Sequence, residues 1–248
     1  MSGLVLRLNP ALDPAAFREA YDRDGHVQIA NVFESDVIEG LAQILERSTP
    51  WDLAVSTPAG REEVFTQGQL AAMSREAIAG KIQGAARRAG EGFAFVYLCY
   101  PMIAAYLAGR DPGHPLHQLT EFLNGPEFLA FGSAVSGAAG ITKVDAQASY
   151  YRPGDFLSLH DDTGPTDERR VAYTLGFTRR WRPDWGGQLL FHDAAGDIVR
   201  GLAPGFNVLT LFKVPRWHSV APVAPYAAGK RLQVVGWLRD DPVAGAPR

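Results

Sequence analysis

His160 and Asp162 stand two residues apart in the run Tyr-Arg-Pro-Gly-Asp-Phe-Leu-Ser-Leu-His-Asp-Asp (residues 151–162). If this run ends a strand, alternate side chains share a face, so His160 and Asp162 point the same way and Asp161 points the other. An imidazole and a carboxylate can then share one ion. A third ligand must come from a distant strand, and His218 offers it in Pro-Arg-Trp-His-Ser-Val-Ala-Pro (215–222). Two imidazoles and one carboxylate on one face of an octahedral divalent ion leave three positions open to smaller ligands. His192, in Leu-Leu-Phe-His-Asp, is the reserve ligand. His26, His114 and His117 lie beside turns and Pro115 and read as surface or capping residues.

A second candidate lies further on, in Lys-Arg-Leu-Gln-Val-Val-Gly-Trp (230–237). Alternation places Arg231, Gln233 and Val235 on one face and Leu232 and Val234 on the other. A guanidinium turned into a β core is costly unless something neutralises it. Its fork suits a bidentate carboxylate. Taken alone, Arg231 reads more readily as a solvated strand end.

These residues need a scaffold. Helical spacing covers residues 13–24, a helix from Ser35 as cap through Val37, Ile38, Leu41 and Leu45, and the Ala-, Arg- and Glu-rich stretch 69–89. Two further helices open on Pro115 and Pro126. Residues 26–33 read as a strand, 51–65 as a strand pair, and 93–108 as a buried apolar segment interrupted by Pro101. After Gly140 the pattern changes to short strands at 142–151, 156–160, 171–178, 188–193, 197–201, 207–212, 218–222 and 232–238. Turn signals lie between them: Pro153-Gly154, Gly164-Pro165, Gly186-Gly187, Gly196, Pro204-Gly205 and Gly229. Many short strands so spaced argue for a barrel or jelly roll. The expectation is one α+β domain over residues 1–248, helix-rich to about 139, with a β core over about 140–240.

Composition narrows the function. The chain has 248 residues, 24 basic and 27 acidic, for a net charge of −3, so no basic excess favours nucleic acid. There is no phosphate loop, no Gly-x-Gly-x-x-Gly, no His-Glu-x-x-His and no Gly-x-Ser-x-Gly. The single cysteine, Cys99, suits a reducing compartment. The first residues do not read as a signal peptide, and no apolar run is long enough for a membrane span. The cytoplasm is expected, with no membrane partner.

Taken in order, the motifs resemble the 2-oxoglutarate- and Fe(II)-dependent dioxygenases of the prolyl-hydroxylase type. The match comprises Tyr151-x-Pro153-Gly154, His160-x-Asp162, Arg170, Trp181, Gly186-Gly187-Gln188-Leu189, Pro204, Asn207, Leu209, Phe212, His218-Ser219-Val220, and Arg231 with Gly236-Trp237. It covers about residues 140–240. The resemblance implies a double-stranded β-helix, that is, a jelly roll. It implies Fe(II) on His160, Asp162 and His218, and 2-oxoglutarate anchored by Arg231, with Tyr151 and Leu189 lining its pocket. Two departures stand out. The His218-to-Arg231 spacing is longer than usual, which keeps Lys230 and Arg239 as rival anchors. Gly176 stands where relatives often carry a tyrosine, and Thr174 on the same strand face is the substitute.

The resemblance thus implies hydroxylation of an aliphatic C–H, chiefly of a prolyl residue in a peptide or protein. O2 and 2-oxoglutarate are consumed, and succinate and CO2 released. Small-molecule substrates stay open, ascorbate is a candidate reductant, and oligomeric state is unreadable. Two rivals remain: a non-enzymatic jelly-roll binding module, and a zinc hydrolase on the same three residues. Only the oxygenase needs a buried carboxylate clamp.

Overall fold

The computed structural model describes residues 5–164, 166 and 168–242. Pro165 of the expected Gly164-Pro165 turn and the first four residues lie outside the described residues. The first helix, α1 (Pro14–Asp24), starts where the Asp13 side chain accepts the Ala15 N–H and ends at Gly25, whose φ of 68° is left-handed. Strand β1 (His26–Ala30) follows, then α2 (Ser35–Arg47). Glu34, not Ser35, occupies the cap position of α2, and it makes no side-chain cap bond. Its carboxylate is instead turned to Arg7.

The expected strand pair is a hairpin, β2 (Asp52–Ser56) with β3 (Glu62–Phe65). The long helix expected over 69–89 is two helices, α3 (Gln67–Ala71) and α4 (Arg75–Arg88). Each has its own cap, a Thr66–Gln69 capping box and the Ser74 hydroxyl, and these local bonds divide the stretch. Pro101 divides the apolar segment into β4 (Phe95–Tyr100) and α5 (Met102–Leu107). Helices α6 (Leu116–Leu123) and α7 (Pro126–Ser136) complete the first half.

The second half is β-rich, as its turn spacing requires. It contains β5 (Lys143–Val144), β6 (Gln147–Tyr151), β7 (Phe156–His160), β8 (Arg169–Phe177), β9 (Leu189–His192), β10 (Ile198–Leu202), β11 (Phe206–Lys213), β12 (His218–Val220) and β13 (Arg231–Arg239). A short 3-10 turn, Pro183–Trp185, precedes β9. The strand order is β1-β11-β8-β13-β6-β4-β7-β12-β9-β10, and every named pairing is antiparallel. The sheet curls over at β4, so β7, β12 and β9 face β8 and β13 across one cavity. This is the jelly roll.

The expectation that the β core belongs to the second half needs amendment. Four strands of the first half join the sheet. β1 extends it beyond β11, β4 joins β6 to β7, and β2 and β3 continue from β4. One apolar cluster combines Leu41, Leu45, Leu119 and Phe128 from the helices with Leu175, Leu211, Val234 and Leu238 from the strands. The helices therefore back one face of the sheet and leave the other face to the cavity.

Candidate active site

The cavity has a volume of about 840 Å³. His160 ends β7 and His218 opens β12, and the two are directly opposite in the register, with ring centroids 4.1 Å apart. Each ring is fixed by its other nitrogen. His160 Nδ1 lies 2.9 Å from the Ser158 carbonyl and His218 Nδ1 lies 2.7 Å from the Arg216 carbonyl. Both Nδ1 atoms therefore carry the proton and donate, which leaves each Nε2 lone pair free. Asp162 completes the group: Oδ1 is 3.4 Å from His160 Nε2 and Oδ2 is 3.4 Å from His218 Nε2. Three ligand atoms, one from each residue, lie within 4.8 Å of one another.

Asp162 does not reach this position by strand alternation. β7 stops at His160, and Asp162 is left-handed with φ 63°. Aspartate is among the few non-glycine residues that tolerate this region. Arg169 Nη1 donates to the Asp162 carbonyl at 3.2 Å, and its guanidinium stacks 3.7 Å from the Trp237 ring centre. The Trp237 indole N–H is buried and lies on the Asp162 carboxylate side of the cavity. Asp161 has another task, accepting the Thr163 N–H on Oδ1 at 3.0 Å.

Burial pushes the Asp162 carboxyl up, but the two imidazoles and the indole N–H outweigh it and hold the group below its ordinary range. Burial, helped by the neighbouring His160, pushes His218 down to about 4. A neutral imidazole and an ionised carboxylate are the forms that bind a metal.

Arg231 opens β13 and faces the same cavity with Gln233, Val235 and Trp237, while Leu232 and Val234 face the apolar cluster. It is 1% exposed and remains cationic at neutral pH, although burial lowers it to about 10. Nε donates to the Gly187 carbonyl at 2.6 Å, and the guanidinium lies 4.4 Å over the Tyr151 ring. Nη1 is buried without a partner. Gly187 has φ +68°, and a Cβ there would come within 2.9 Å of the Arg231 side chain, so the double glycine shapes this contact. No carboxylate makes an ion pair with Arg231 among the described residues. A buried, unpaired guanidinium fits a carboxylate ligand, and three inward-facing donors of His, Asp and His type fit Fe(II).

Thr174, Leu189 and Tyr151 also line the cavity. The rival anchors do not. Lys230 donates to the Glu46 carbonyl on the surface, and Arg239 is held by Asp145, Glu168 and Asp241. His192 bonds the Ser219 hydroxyl at 2.9 Å and stands outside the group. Arg170 pairs with Asp240, so its neighbour Arg169 is the arginine at the cavity.

Sequence reasoning named Tyr151 but missed Phe93, Phe95 and Tyr97 on the same wall. Phe93, Phe95, Tyr97 and Tyr151 form a run of ring contacts at 5.6, 5.5 and 5.1 Å. The run begins 5.2 Å from the His160 ring and ends under Arg231. The alternating aromatics of residues 93–97 were the available signal.

Residues 146–239 match the 2OG-Fe(II) oxygenase superfamily. No curated protein sequence matches the chain significantly. The fold is similar to a Pseudomonas putida prolyl-4-hydroxylase, with TM-score 0.56 and 21% identity over 92% of this chain and 99% of that one. It is similar to a Burkholderia pseudomallei oxidoreductase of the 2OG-Fe(II) oxygenase family, with TM-score 0.59 and 13% identity over 97% of each chain. It is also similar to a Trichoplax adhaerens prolyl hydroxylase in complex with a hypoxia inducible factor peptide, with TM-score 0.56 and 18% identity over 90% and 89% of the chains. The chain thus carries, over residues 146–239, a domain of the 2OG-Fe(II) oxygenase superfamily, and it is a 2-oxoglutarate-dependent dioxygenase that uses Fe(II).

Proposed function

We propose that the protein hydroxylates an aliphatic C–H bond of a prolyl residue in a peptide or protein. His160, Asp162 and His218 hold the iron in this reading. Arg231 clamps the distal carboxylate of 2-oxoglutarate, with Thr174, Leu189 and Tyr151 around it. The observation that carries the reading is the buried Arg231 guanidinium, unpaired at Nη1, in the same cavity as the three ligand atoms. A zinc hydrolase or a bare binding module has no use for such a clamp. The prolyl assignment is supported by likeness in fold to two prolyl hydroxylases. The buried, unpaired Cys99 favours a reducing compartment, and the cytoplasm is the proposed location. Among the described residues no helix is long and apolar enough to cross a membrane.

The bound iron and co-substrate supply the oxidising power, with O2 consumed, succinate and CO2 released, and substrate C–H converted to C–OH. The chain's own residues supply position. The backbone carbonyls of Ser158 and Arg216 hold both imidazoles with Nε2 inward. Arg231 sets the co-substrate's direction by a charge-assisted fork, and the Tyr151 ring supports the guanidinium from below. Phe93 and Phe95 give the His160 side of the cavity an apolar wall. The test is a succinate-release screen against peptide and amino-acid pools, with mass spectrometry of the products. Succinate release coupled to one added oxygen on proline is expected. Release coupled only to non-prolyl compounds would refute the prolyl reading.

A further inference from the structure

The far end of the cavity carries an acid that the chemistry above does not use. Glu62, at the start of β3, lines the cavity with Gly60, Tyr97 and Gln147. Gln147 Nε2 donates to the Tyr97 hydroxyl at 3.2 Å, and that hydroxyl donates to Glu62 Oε1 at 3.3 Å. The chain of donors runs one way. The phenol has one proton, and it goes to the carboxylate. What remains for a ligand is the other Glu62 oxygen, the Gln147 carbonyl and the second Gln147 N–H, and the only full charge among them is the carboxylate's.

The remaining charges around the cavity have other partners. Asp145 is held by Arg239 at 2.9 Å, and Asp161 caps its own turn. Arg169 is stacked on Trp237, and Arg231 is enclosed over Tyr151. Lys81 takes Glu63, the neighbour of Glu62. Glu62 is exposed at the start of β3 and forms no ion pair among the described residues. Beside it stands the aromatic wall of Phe93, Phe95 and Tyr97. Aromatic faces next to a carboxylate without a counter-ion favour a cation, by ring quadrupole and by charge.

We propose that this end of the cavity selects a substrate bearing a positively charged group, a lysyl or arginyl side chain or an amine, seated against Phe95 and Tyr97 and paired with Glu62. The inference rests on the hydroxylase reading for the place of the reacting C–H and adds what lies next to it. In peptide terms, the target proline has a basic neighbour.

Binding and turnover separate the two ideas. The enzyme is loaded with Mn(II) and 2-oxoglutarate, and calorimetry measures three blocked peptides: Gly-Lys-Pro-Gly, Gly-Gln-Pro-Gly and Gly-Glu-Pro-Gly. The lysyl peptide is expected to bind at least about tenfold more tightly than the glutamyl one, the size of a partly desolvated cation–π contact with an ion pair. Glu62→Gln should reduce that ratio to below about threefold, and Glu62→Lys should reverse the order. Thermal melts of both variants report whether they fold. Equal binding of the three peptides, binding of none, or a ratio that persists in folded Glu62→Gln overturns the inference. Succinate release under Fe(II) and O2 then tests the hydroxylase reading by itself. A lysyl peptide that binds with the expected preference but is not hydroxylated leaves the charge selection standing and removes the prolyl assignment.

Discussion

Asp162 is the residue on which the metal group depends most, because its backbone is held in the left-handed region at φ 63°. Such a conformation persists only where neighbours over-determine it. Arg169 is that neighbour, through the Asp162 carbonyl and the Trp237 ring. Arg169→Ala should therefore weaken Mn(II) binding by about tenfold or more, as loss of a supporting contact to a metal ligand commonly does. An electron paramagnetic resonance titration measures this, and unchanged affinity would contradict the argument. The pairing of His160 with Asp162 was legible from the two-residue spacing, but the turn that delivers the carboxylate was not. Alternation describes strands only, and β7 ends two residues before Asp162. Arg231 was legible because it is polar within an apolar alternating run. Its replacement by alanine should raise the 2-oxoglutarate Michaelis constant at least about tenfold, since a hydrogen bond to a charged group contributes about 1.5–3 kcal/mol. Arg231→Lys should fall between, keeping charge and losing the fork. A co-substrate titration with an unchanged constant in Arg231→Ala would remove the assignment.

At the scale of elements, the strands of the second half followed closely from alternation and glycine turns. Departures arose where the backbone makes a contact that no periodicity encodes. The expected strand 142–151 is broken into β5 and β6 because the Asp145 carbonyl turns towards β13 and accepts the Tyr173 hydroxyl at 3.0 Å. That approach depends on Gly236. A Cβ there would lie 1.9 Å from the Asp145 carbonyl oxygen. Gly236→Ala must push the strands apart and should cost about 1–3 kcal/mol, as overpacking does. Several degrees of lowered melting temperature would register it in a calorimetric scan. A melt identical to wild type would mean that β5 and β6 yield without cost.

At the scale of the molecule, the chain's two halves differ in composition yet share one sheet. That sharing was hidden in the sequence, because β1 and β4 are short and lie among helices, and long-range pairing leaves no local signature. β4 spans the junction between β6 and β7, so the strand bearing His160 reaches the strand before it only through residues of the first half. We take residues 1–248 as one folding unit. A fragment starting at residue 140 should accordingly lose the cooperative thermal transition of the full chain, because it exposes the β11 edge and the apolar face of Leu175, Leu211 and Val234. A sharp melt in the isolated fragment would contradict that account. The cavity likewise belongs to both halves, lined by His160, His218 and Arg231 from the second half and by Phe93, Phe95 and Tyr97 from the first.

The central claim is that one cavity binds Fe(II) on His160, Asp162 and His218 and 2-oxoglutarate on Arg231 together. It is tested most directly by visible absorption under anaerobic conditions, with Fe(II) added first and 2-oxoglutarate titrated after it. The wild-type chain should develop a weak visible charge-transfer band that saturates with 2-oxoglutarate. Arg231→Ala should need at least about tenfold more co-substrate for the same band, and folded His218→Ala should develop none. Absence of the band in the wild-type chain, or a band unchanged in folded His218→Ala, would contradict the account.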